Sequence, residues 1–270
     1  MHKFMQILIG FLAGILISLA AWRARSLSRS GAFAAALTGG LIFGLGGLPW
    51  AALLLTFFIT SSALSKIFKQ RKTILSEKFA KGSQRDWQQV LANSSLGSLL
   101  VIVAFAQTEN LLPWIAYLGA MATVNADTWA TELGVLSRKP PRLITNGQVV
   151  EAGTSGGISF FGTLATLGGA AIIGVVGAAF YLGVGAWPMW LAATLGGVGG
   201  SLLDSLLGAT VQAIYFCADC QKETERYPVH SCGAETRQIR GWGWLNNDWV
   251  NFIASLVGAI LSALVWYLLK

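Results

Sequence analysis

The sequence predicts an all-α polytopic membrane protein with about eight transmembrane helices. Of its 270 residues, 54% are hydrophobic and only 11% are charged, and the mean hydropathy is +0.60. Soluble domains contain roughly 25% charged residues, so a soluble globular class is excluded. Apolar runs long enough to cross about 30 Å of hydrocarbon recur along the chain. These runs lie at residues 4–22, 31–48, 50–67, 88–107, 112–136, 156–182, 187–212 and 249–269, with only Leu48-Pro49-Trp50 between the second and the third.

The basic residues predict the orientation of these spans. With eight spans, the segments after the first, third, fifth and seventh runs share one side, and they hold every Lys and Arg except Lys3 and Lys270. Cytoplasmic loops are enriched in Lys and Arg, so this side is the cytoplasmic one and both termini are non-cytoplasmic. The net charge of +7 is therefore a topology signal that also favours anionic lipids, and it requires no nucleic-acid partner. We treat residues 1–270 as one integral-membrane domain with a cytoplasmic insertion at 213–247.

The fifth run contains charged side chains in an otherwise apolar helix. Carboxylates inside a membrane are costly unless they are paired, and they mark functional sites. At about 100° per residue, Asn125, Thr128 and Glu132 lie along one stripe of the helix, and Asp127 lies on the adjacent stripe with Thr131. The sequence therefore predicts an oxygen-rich wall on this helix.

A second acidic segment repeats this spacing in the seventh run. The correspondence pairs Leu118-Gly119 with Leu195-Gly196, and Asp127-Thr128 with Asp204-Ser205. A true repeat would bring two similar half-sites face to face, as in other repeat-built membrane proteins. Chance agreement among common small residues is the alternative.

The segment KGSQRD at residues 81–86 precedes the fourth run. Its Gly and Ser allow close approach of the backbone, and Lys81 and Arg85 supply charges that pair with phosphate. A solvated connector, including the rest of the basic loop at 67–87, is the alternative. Asn93 lies about one helical turn into the fourth run, where an amide needs a hydrogen-bond partner.

A turn rich in Gly, Thr and Ser precedes the sixth run. It contains Glu151, Gly153, Thr154, Ser155 and Gly156. Such a turn at the start of a helix exposes N–H groups and the positive end of the helix dipole, which together bind anions. The alternative is a simple helix N-cap formed by Thr154 or Ser155.

The insertion at 213–247 contains a candidate metal site. Cys217, Cys220, His230 and Cys232 offer three thiolates and one imidazole in two closely spaced pairs, which is a tetrahedral zinc set. A closed four-ligand site leaves no position for chemistry, so zinc would have a structural role in a segment too short for its own core. Free thiols in a reducing compartment are the alternative.

The last polar cluster lies at the start of the eighth run and consists of Asn247, Asp248 and Asn251. Their spacing of i, i+1 and i+4 places them on one side of a helix. Asp248 could simply cap this helix. Together with the other acids, these residues are hard oxygen ligands at the cytoplasmic side, and they suit magnesium with bound phosphate. Catalysis of phosphoryl transfer consists mainly of positioning and charge neutralisation. The sequence has no Walker A motif, kinase Gly-rich loop or Ser/His/Asp set, so a nucleotide site would be of a membrane-specific type.

The combination of motifs resembles an integral-membrane family that includes phytyl-phosphate kinase of tocopherol synthesis and animal transmembrane protein 19. This family is distantly related to polyprenol kinases and phosphatidate cytidylyltransferase. The motifs are KGSQRDWQQVLAN (81–93), NADTWATELG (125–134), EAGTSGGIS (151–159), GSLLDSLLGATVQ (200–212), the Cys/His segment and NNDWVN (246–251).

The resemblance implies transfer of the γ-phosphoryl group of a nucleoside triphosphate, with CTP favoured, to an isoprenyl monophosphate. It implies magnesium on Asp127, Asp204 and Asp248, and an isoprenoid tail in a lipid-facing groove of the second, sixth and seventh spans. The implied catalytic residues are Asp127, Glu132, Asp204, Asp248, Lys81 and Arg85. The implied substrate-binding residues are Asn93, Asn125, Thr128, Glu151, Gly153, Thr154, Ser155, Gly156, Ser205, Gln212, Asn247 and Asn251.

Two other functions fit the same residues. A cytidylyltransferase making a CDP-linked lipid would need almost the same site, and only the fate of the nucleotide phosphates separates the two enzymes. A transporter would use Asp127 and Asp204 as an ion or proton relay. Transport would proceed without nucleotide, and phosphoryl transfer would not.

Overall fold

The computed structural model describes residues 2–68, 81, 84–107, 109–181 and 185–270. Much of the basic loop after the third run lies outside these residues, including Lys69, Arg71, Lys72, Lys78, Gly82 and Ser83. The described part is mostly helical. Its helices are α1 (His2–Arg23), α2 (Arg29–Ile67), α3 (Trp87–Ala106), α4 (Leu112–Gly134), α5 (Phe160–Ala179), α6 (Ala186–Thr210) and α7 (Asn247–Leu269).

The second and third predicted spans form one helical element, the 39-residue α2. A straight helix of that length would extend about 58 Å, roughly twice the thickness of the hydrocarbon core. The helix is interrupted at Gly47, where φ is 71° and ψ is −162°. Glycine adopts this conformation without steric strain, and Pro49 then opens the second half. The break therefore falls beside the Leu48–Trp50 boundary that the sequence predicts.

Helix α4 lies at the centre of the bundle. Six helices among the described residues are long and apolar enough to cross a membrane, namely α1, α2, α3, α5, α6 and α7. The polar helix α4 packs against α2, α3, α5, α6 and α7, and every residue from Pro113 to Ala126 except Ala116 is buried. A helix surrounded by protein can hold polar groups that a lipid-facing helix cannot.

Glycines bring α4 and α6 into direct contact with α7. A Cβ atom added to Gly119 in α4 or to Gly196 in α6 would lie 2.4 or 2.7 Å from the carbonyl oxygen of Gly258 in α7. Only backbones without side chains fit together this closely. The hydroxyl of Ser262 in α7 donates to the carbonyl of Ile115 in α4 at 3.1 Å. Contacts that come later in α7 therefore come earlier in α4, so the two helices are antiparallel.

This packing brings the three acidic segments to one end of the bundle. Asp127 and Asp204 each follow their contact glycine by eight residues, which is about 12 Å along a helix. Asp248 precedes Gly258 by ten residues, about 15 Å in the same direction because α7 is antiparallel. Convergence of the acids therefore follows from helix rise and from the shared contact at Gly258.

The all-α prediction is incomplete, because the segment between α6 and α7 contains a small antiparallel sheet. Its strands β3 (Ile214–Cys217), β4 (Lys222–Thr224) and β5 (Thr236–Arg240) are arranged in the order β4-β3-β5. The residues of β3 are mainly β-branched and aromatic, which favours a strand. A second short pair, β1 (Arg142–Leu143) with β2 (Gly157–Ile158), precedes α5.

We expect Gly258→Ala to destabilise the bundle. The added Cβ would lie against the hydroxyl of Thr123 and 3.1 Å from the carbonyl oxygens of Gly119 and Gly196, so the helices must separate. The free energy of unfolding should fall by about 1–3 kcal/mol, as for other overpacked sites. The measurement is the fraction of protein in detergent that stays monodisperse after heating, determined by size-exclusion chromatography. This fraction should fall at a lower temperature in Gly258→Ala than in the wild type.

Gly168→Ala is the matched control, because the nearest atom to its added Cβ lies 3.7 Å away on Trp129. Equal thermal stability of the two variants would contradict the proposed role of the glycine contact.

Candidate active site

A cavity of about 770 Å³ lies at the end of the bundle where the acidic segments meet. This volume is within the range of small-molecule sites, roughly 300–1,000 Å³. Every catalytic or substrate-binding residue expected from the sequence lines it, with the exception of Asn125. The lining includes Lys81, Arg85, Asn93, Asp127, Thr128, Glu132, Glu151, Gly153, Thr154, Ser155, Gly156, Asp204, Ser205, Gln212, Asn247, Asp248 and Asn251.

Asn125 lies outside this cavity and joins three helices. Its side chain is fully buried, donates to the carbonyl of Gly169 at 2.7 Å and accepts from the hydroxyl of Thr60 at 3.1 Å. The indole N–H of Trp129 also donates to Thr60, at 3.1 Å. Asn125 therefore links α2, α4 and α5, and its contacts do not reach a ligand in the cavity.

Three of the carboxylates that line the cavity lie close to one another. Asp127 and Glu225 lie close enough to Asp204 to act on it electrostatically. The Oδ2 atom of Asp204 is buried, and among the described residues it has no hydrogen-bond partner. Neighbouring carboxylates repel one another strongly where water is excluded, and a divalent cation removes this repulsion. The donor set of hard oxygens fits a magnesium ion.

Glu225 is a site residue that the sequence analysis missed. It follows β4 directly and accepts hydrogen bonds from Ser155 at 3.0 Å and from the side-chain amide of Gln212 at 2.9 Å. These contacts join the Cys/His segment, the Gly-rich turn and the end of α6. An acid in a polar insertion is ordinarily solvated, so no pattern in the sequence distinguishes Glu225 from its neighbours.

Arg85 projects into the protein from the segment before α3. Its guanidinium donates to the hydroxyls of Ser61 at 2.9 Å and Ser62 at 3.1 Å, and it lies over the rings of Phe57 and Phe58 with centroid distances of 5.4 and 5.8 Å. Aromatic faces and hydroxyl oxygens together stabilise a cation in a largely apolar place. The arginine is therefore fixed at the boundary between the cavity and the bundle.

The backbone around Arg85 is held as firmly as its side chain. The carbonyl of Arg85 accepts from the N–H of Ser28 at 3.0 Å, and Gly31 is so close that an added Cβ would clash with the same carbonyl. Burial lowers the pKa of the guanidinium, and the nearby carboxylate of Glu132 acts in the opposite direction. Glu132 is buried and accepts a short hydrogen bond from Ser65. Arg85 and Glu132 thus lie close enough to act on each other electrostatically, and each is held by serine hydroxyls.

Lys81 and Asp248 contact each other directly across the cavity. Lys81 also pairs with Asp86 at 3.0 Å. Asn246 caps α7 by accepting from the N–H of Trp249 at 3.1 Å, so the alternative that Asp248 is the cap is wrong. The charge of Asp248 is instead directed at Lys81, which connects the starts of α3 and α7.

The Gly-rich turn does not cap the following helix. Ser159 is the N-cap of α5 and accepts from the N–H of Gly162 at 3.1 Å, so the alternative of a cap by Thr154 or Ser155 is wrong. Within the turn, the N–H of Thr154 donates to the backbone carbonyl of Glu151 at 3.2 Å.

Gly156 allows this turn to pack closely against the end of α6. Its φ of 81° favours glycine, and an added Cβ would lie 2.4 Å from the side chain of Ala209. The turn is thus a fixed wall of the cavity, held by Gly156 at α6 and by Ser155 at Glu225.

The sequence of the chain is similar to a known family over most of its length. The family described as "Integral membrane protein DUF92" matches residues 12–259. The chain belongs to this family. The resemblance inferred from the motifs is thereby confirmed at the level of the family.

Relatives of this DUF92 protein occur in plants and archaea. It is 34% identical to Protein PGR of Arabidopsis thaliana, with 96% of each chain covered. It is 32% identical to the uncharacterized membrane protein MJ0933 of Methanocaldococcus jannaschii, over 98% of this chain and 97% of that one. It is 26% identical to Protein VTE6, chloroplastic, of Arabidopsis thaliana, over 88% of this chain and 65% of that one. No solved structure is significantly similar to the chain.

The DUF92 chain also brings its cysteines and a histidine together beside the cavity. The ligand atoms of Cys217, Cys220, His230 and Cys232 all lie within 4.8 Å of one another. A tetrahedral zinc ion with bonds of about 2.3 Å would hold sulfur atoms about 3.8 Å apart. The sulfurs of Cys217 and Cys232 are 3.6 Å apart, so the set fits zinc.

The protonation of Cys232 also suits a metal ligand. A hydrogen bond with His230 and one with the backbone of Ala234 lower the pKa of its thiol to about 7, whereas the hydrogen bond with Cys232 raises the pKa of the Cys220 thiol to about 12. The thiolate is the form that binds metal. Glu225 lies between the two ligand pairs in the sequence, so a metal here would also fix this carboxylate at the cavity.

We expect the purified protein to contain about one zinc ion per chain, and the double variant Cys217→Ser/Cys220→Ser to lose it. With two ligands removed, the small sheet loses its main crosslink and residues 213–247 become sensitive to protease. Elemental analysis and limited trypsin digestion measure the two effects. Ala218→Ser is the control, because Ala218 is exposed between Cys217 and Cys220. Wild-type protein without metal would support the free-thiol alternative.

Proposed function

We propose that the protein is a membrane-embedded kinase. It transfers the γ-phosphoryl group of a nucleoside triphosphate, with CTP favoured, to an isoprenyl monophosphate such as phytyl phosphate, and the product is the isoprenyl diphosphate. One observation carries the proposal: the carboxylates of Asp127 and Asp204 share a single cavity with the cations Lys81 and Arg85. The sequence resemblance to the family of phytyl-phosphate kinase supports the choice of acceptor.

Asp127 and Asp204 are the residues that would hold magnesium. The buried Oδ2 of Asp204 and the electrostatic proximity of Asp127 and Glu225 favour a divalent cation there. The ion would neutralise the donor phosphates when bound. Asp248 is paired with Lys81, so we assign to it first the positioning of Lys81 and second a contribution to the cation site.

The reaction needs no strong general base. The second pKa of an alkyl phosphate is about 6, so the attacking oxygen is already ionised at pH 7. This oxygen forms a bond to the γ-phosphorus, the bond from that phosphorus to the β,γ-bridging oxygen breaks, and the nucleoside diphosphate leaves. Lys81 and Arg85 offset the repulsion between the two anions as they approach.

The membrane topology is part of the proposal. The break at Gly47 allows α2 to cross the bilayer twice, and together with α4 this gives eight passes. Both termini are then non-cytoplasmic, and the cavity opens to the cytoplasm, where nucleoside triphosphates are available. The Cys/His segment is a small cytoplasmic lobe that zinc stabilises and that supplies Glu225 to the cavity.

Isotope transfer tests this proposal against the alternative enzyme. Purified protein in lipid nanodiscs is supplied with phytyl monophosphate, Mg²⁺ and CTP labelled at either the α- or the γ-phosphate, and the lipid is extracted. We expect γ label in the lipid and no α label. Entry of the α label would instead identify a cytidylyltransferase.

A screen of farnesyl, geranylgeranyl and phytyl monophosphates against each nucleoside triphosphate extends this test. Absence of transfer from every pair, together with ion or proton flux into proteoliposomes without nucleotide, would replace the kinase by a transporter.

We expect Asp127→Asn and Asp204→Asn each to reduce kcat/KM for phosphoryl transfer by at least about 100-fold. Each loses a carboxylate that would hold the magnesium ion, and the positive charge of that ion offsets the phosphates in the transition state; losing one such electrostatic contribution costs about 100- to 1,000-fold. Initial rates with γ-labelled CTP give the measurement, and size-exclusion profiles verify folding. Glu109→Gln is the charge-matched control, because Glu109 is exposed before α4 at its other end. Full activity in either Asp variant would remove that residue from the mechanism.

A further inference from the structure

A second cavity, here called the apolar groove, lies between α1, both halves of α2 and α3. Its volume is about 90 Å³. A water-sized group needs about 10–15 Å³, so the groove holds roughly six to nine such groups. Its walls include Ile17, Gly39, Phe43, Leu54, Phe58 and Val90.

The walls of the apolar groove offer almost nothing to a polar ligand. The hydroxyl of Thr38 donates to the carbonyl of Ala34 in its own helix at 2.9 Å, and that of Ser94 donates to Val90 at 2.7 Å. Hydroxyls that are satisfied in this way leave a surface suited to hydrocarbon.

One end of the apolar groove is polar and is shared with the large cavity. Arg85 and Asn93 line both spaces. Arg85 is fixed there by Ser61 and Ser62, with Phe57 and Phe58 on the groove side. Both spaces therefore border the same cation and the same amide, which are groups that bind phosphate oxygens.

The boundary that the two cavities share at Arg85 and Asn93 indicates the chemistry of the ligand. A free nucleotide has no apolar part to place in the groove, and a plain hydrocarbon makes no use of Arg85. An amphiphile with a phosphate head and an aliphatic tail satisfies both ends. At the other boundary, Ile17 is exposed on the outer surface of α1, so a longer tail can continue into the surrounding lipid.

We propose that the apolar groove binds the first part of the isoprenoid tail of the acceptor, with the acceptor phosphate at Arg85 and Asn93. The assignment rests on the proposed kinase function and specifies the lipid half of its site. It differs from the sequence expectation of a groove lined by the second, sixth and seventh spans. No motif in the sequence indicates this groove, because the helices that line it are ordinary apolar spans.

Gly39 provides a way to block the apolar groove without disturbing the bundle. Among the described residues, the one atom within 4 Å of a Cβ added at Gly39 is the Cδ2 of Leu54, at 3.9 Å, so the added side chain points into open space. Gly31 contacts the backbone of Arg85, and Gly39 lies eight residues further along α2, about 12 Å deeper. Gly39→Leu should therefore obstruct the path of the tail while leaving the phosphate end intact.

Gly168 in α5 provides the matched control. A Cβ there meets only ring atoms of Trp129, at 3.7 and 4.0 Å, and Gly168 lines neither cavity. Gly168→Leu makes the same chemical change in α5. This helix is the sixth span, where the sequence predicts the tail groove. A leucine also favours the helical state over glycine at both positions, so neither change weakens its helix.

Photolabelling tests the location of the tail independently of turnover. The probe is geranylgeranyl monophosphate with a diazirine in its second isoprene unit, applied to the full-length protein in nanodiscs with unlabelled geranylgeranyl monophosphate as competitor. We expect competed labelling in α1, α2 and α3, a yield at least about fivefold lower in Gly39→Leu, and an unchanged yield in Gly168→Leu. Labelling of α5 and α6, or equal yields in all three proteins, would overturn the proposal.

Turnover of the same lipid with γ-labelled nucleoside triphosphates separates this proposal from the proposed function. Labelling in the groove without phosphoryl transfer would reject the kinase and retain the lipid site. Phosphoryl transfer with labelling outside the groove would retain the kinase and reject the groove. If the kinase function and the tail site are both correct, kcat/KM for geranylgeranyl monophosphate falls at least about tenfold in Gly39→Leu and is unchanged in Gly168→Leu.

Discussion

The structure depends on the contact of three helix backbones at Gly119, Gly196 and Gly258. The three glycines carry no side chains, so the backbones of α4 and α6 approach that of α7 directly, and the hydroxyl of Thr123 donates to the carbonyl of Gly119 beside this contact. Since helix rise is fixed, this contact also fixes the height of the acids further along each helix. A wider spacing at the glycines would move the carboxylates apart, so packing in the middle of the bundle determines the geometry at its end.

The charged groups at that end are tolerated because they are arranged in partnerships. Arg85 faces Glu132 and two serine hydroxyls, and Lys81 joins Asp86 to Asp248. A buried charge without a partner costs several kcal/mol, so these pairs make a polar cavity compatible with an apolar bundle. The buried Oδ2 of Asp204 has no hydrogen-bond partner among the described residues, which is the observation behind the proposed cation site.

The Cys/His segment and the membrane helices form one functional unit. The segment supplies Glu225, which receives hydrogen bonds from the Gly-rich turn and from Gln212 at the end of α6. The proposed structural metal in the segment would therefore act on the cavity through the position of Glu225. The apolar groove, in contrast, is lined by α1, α2 and α3, so in our proposal the head group and the tail of the acceptor are bound by different parts of the fold.

The sequence by itself determined the membrane class, the approximate ends of the helices, the break near Leu48 and the choice of Asp127, Asp204 and the four Cys/His residues. These features are local, because hydropathy, helix period and ligand spacing are all encoded within a short stretch of chain. Only the tertiary structure decided that Asn125 is structural, that Asp248 faces Lys81, that Glu225 joins the cavity and that an apolar groove meets it at Arg85. Each of these depends on side chains far apart in the sequence, and their contact is set by how the helices pack and by no local pattern.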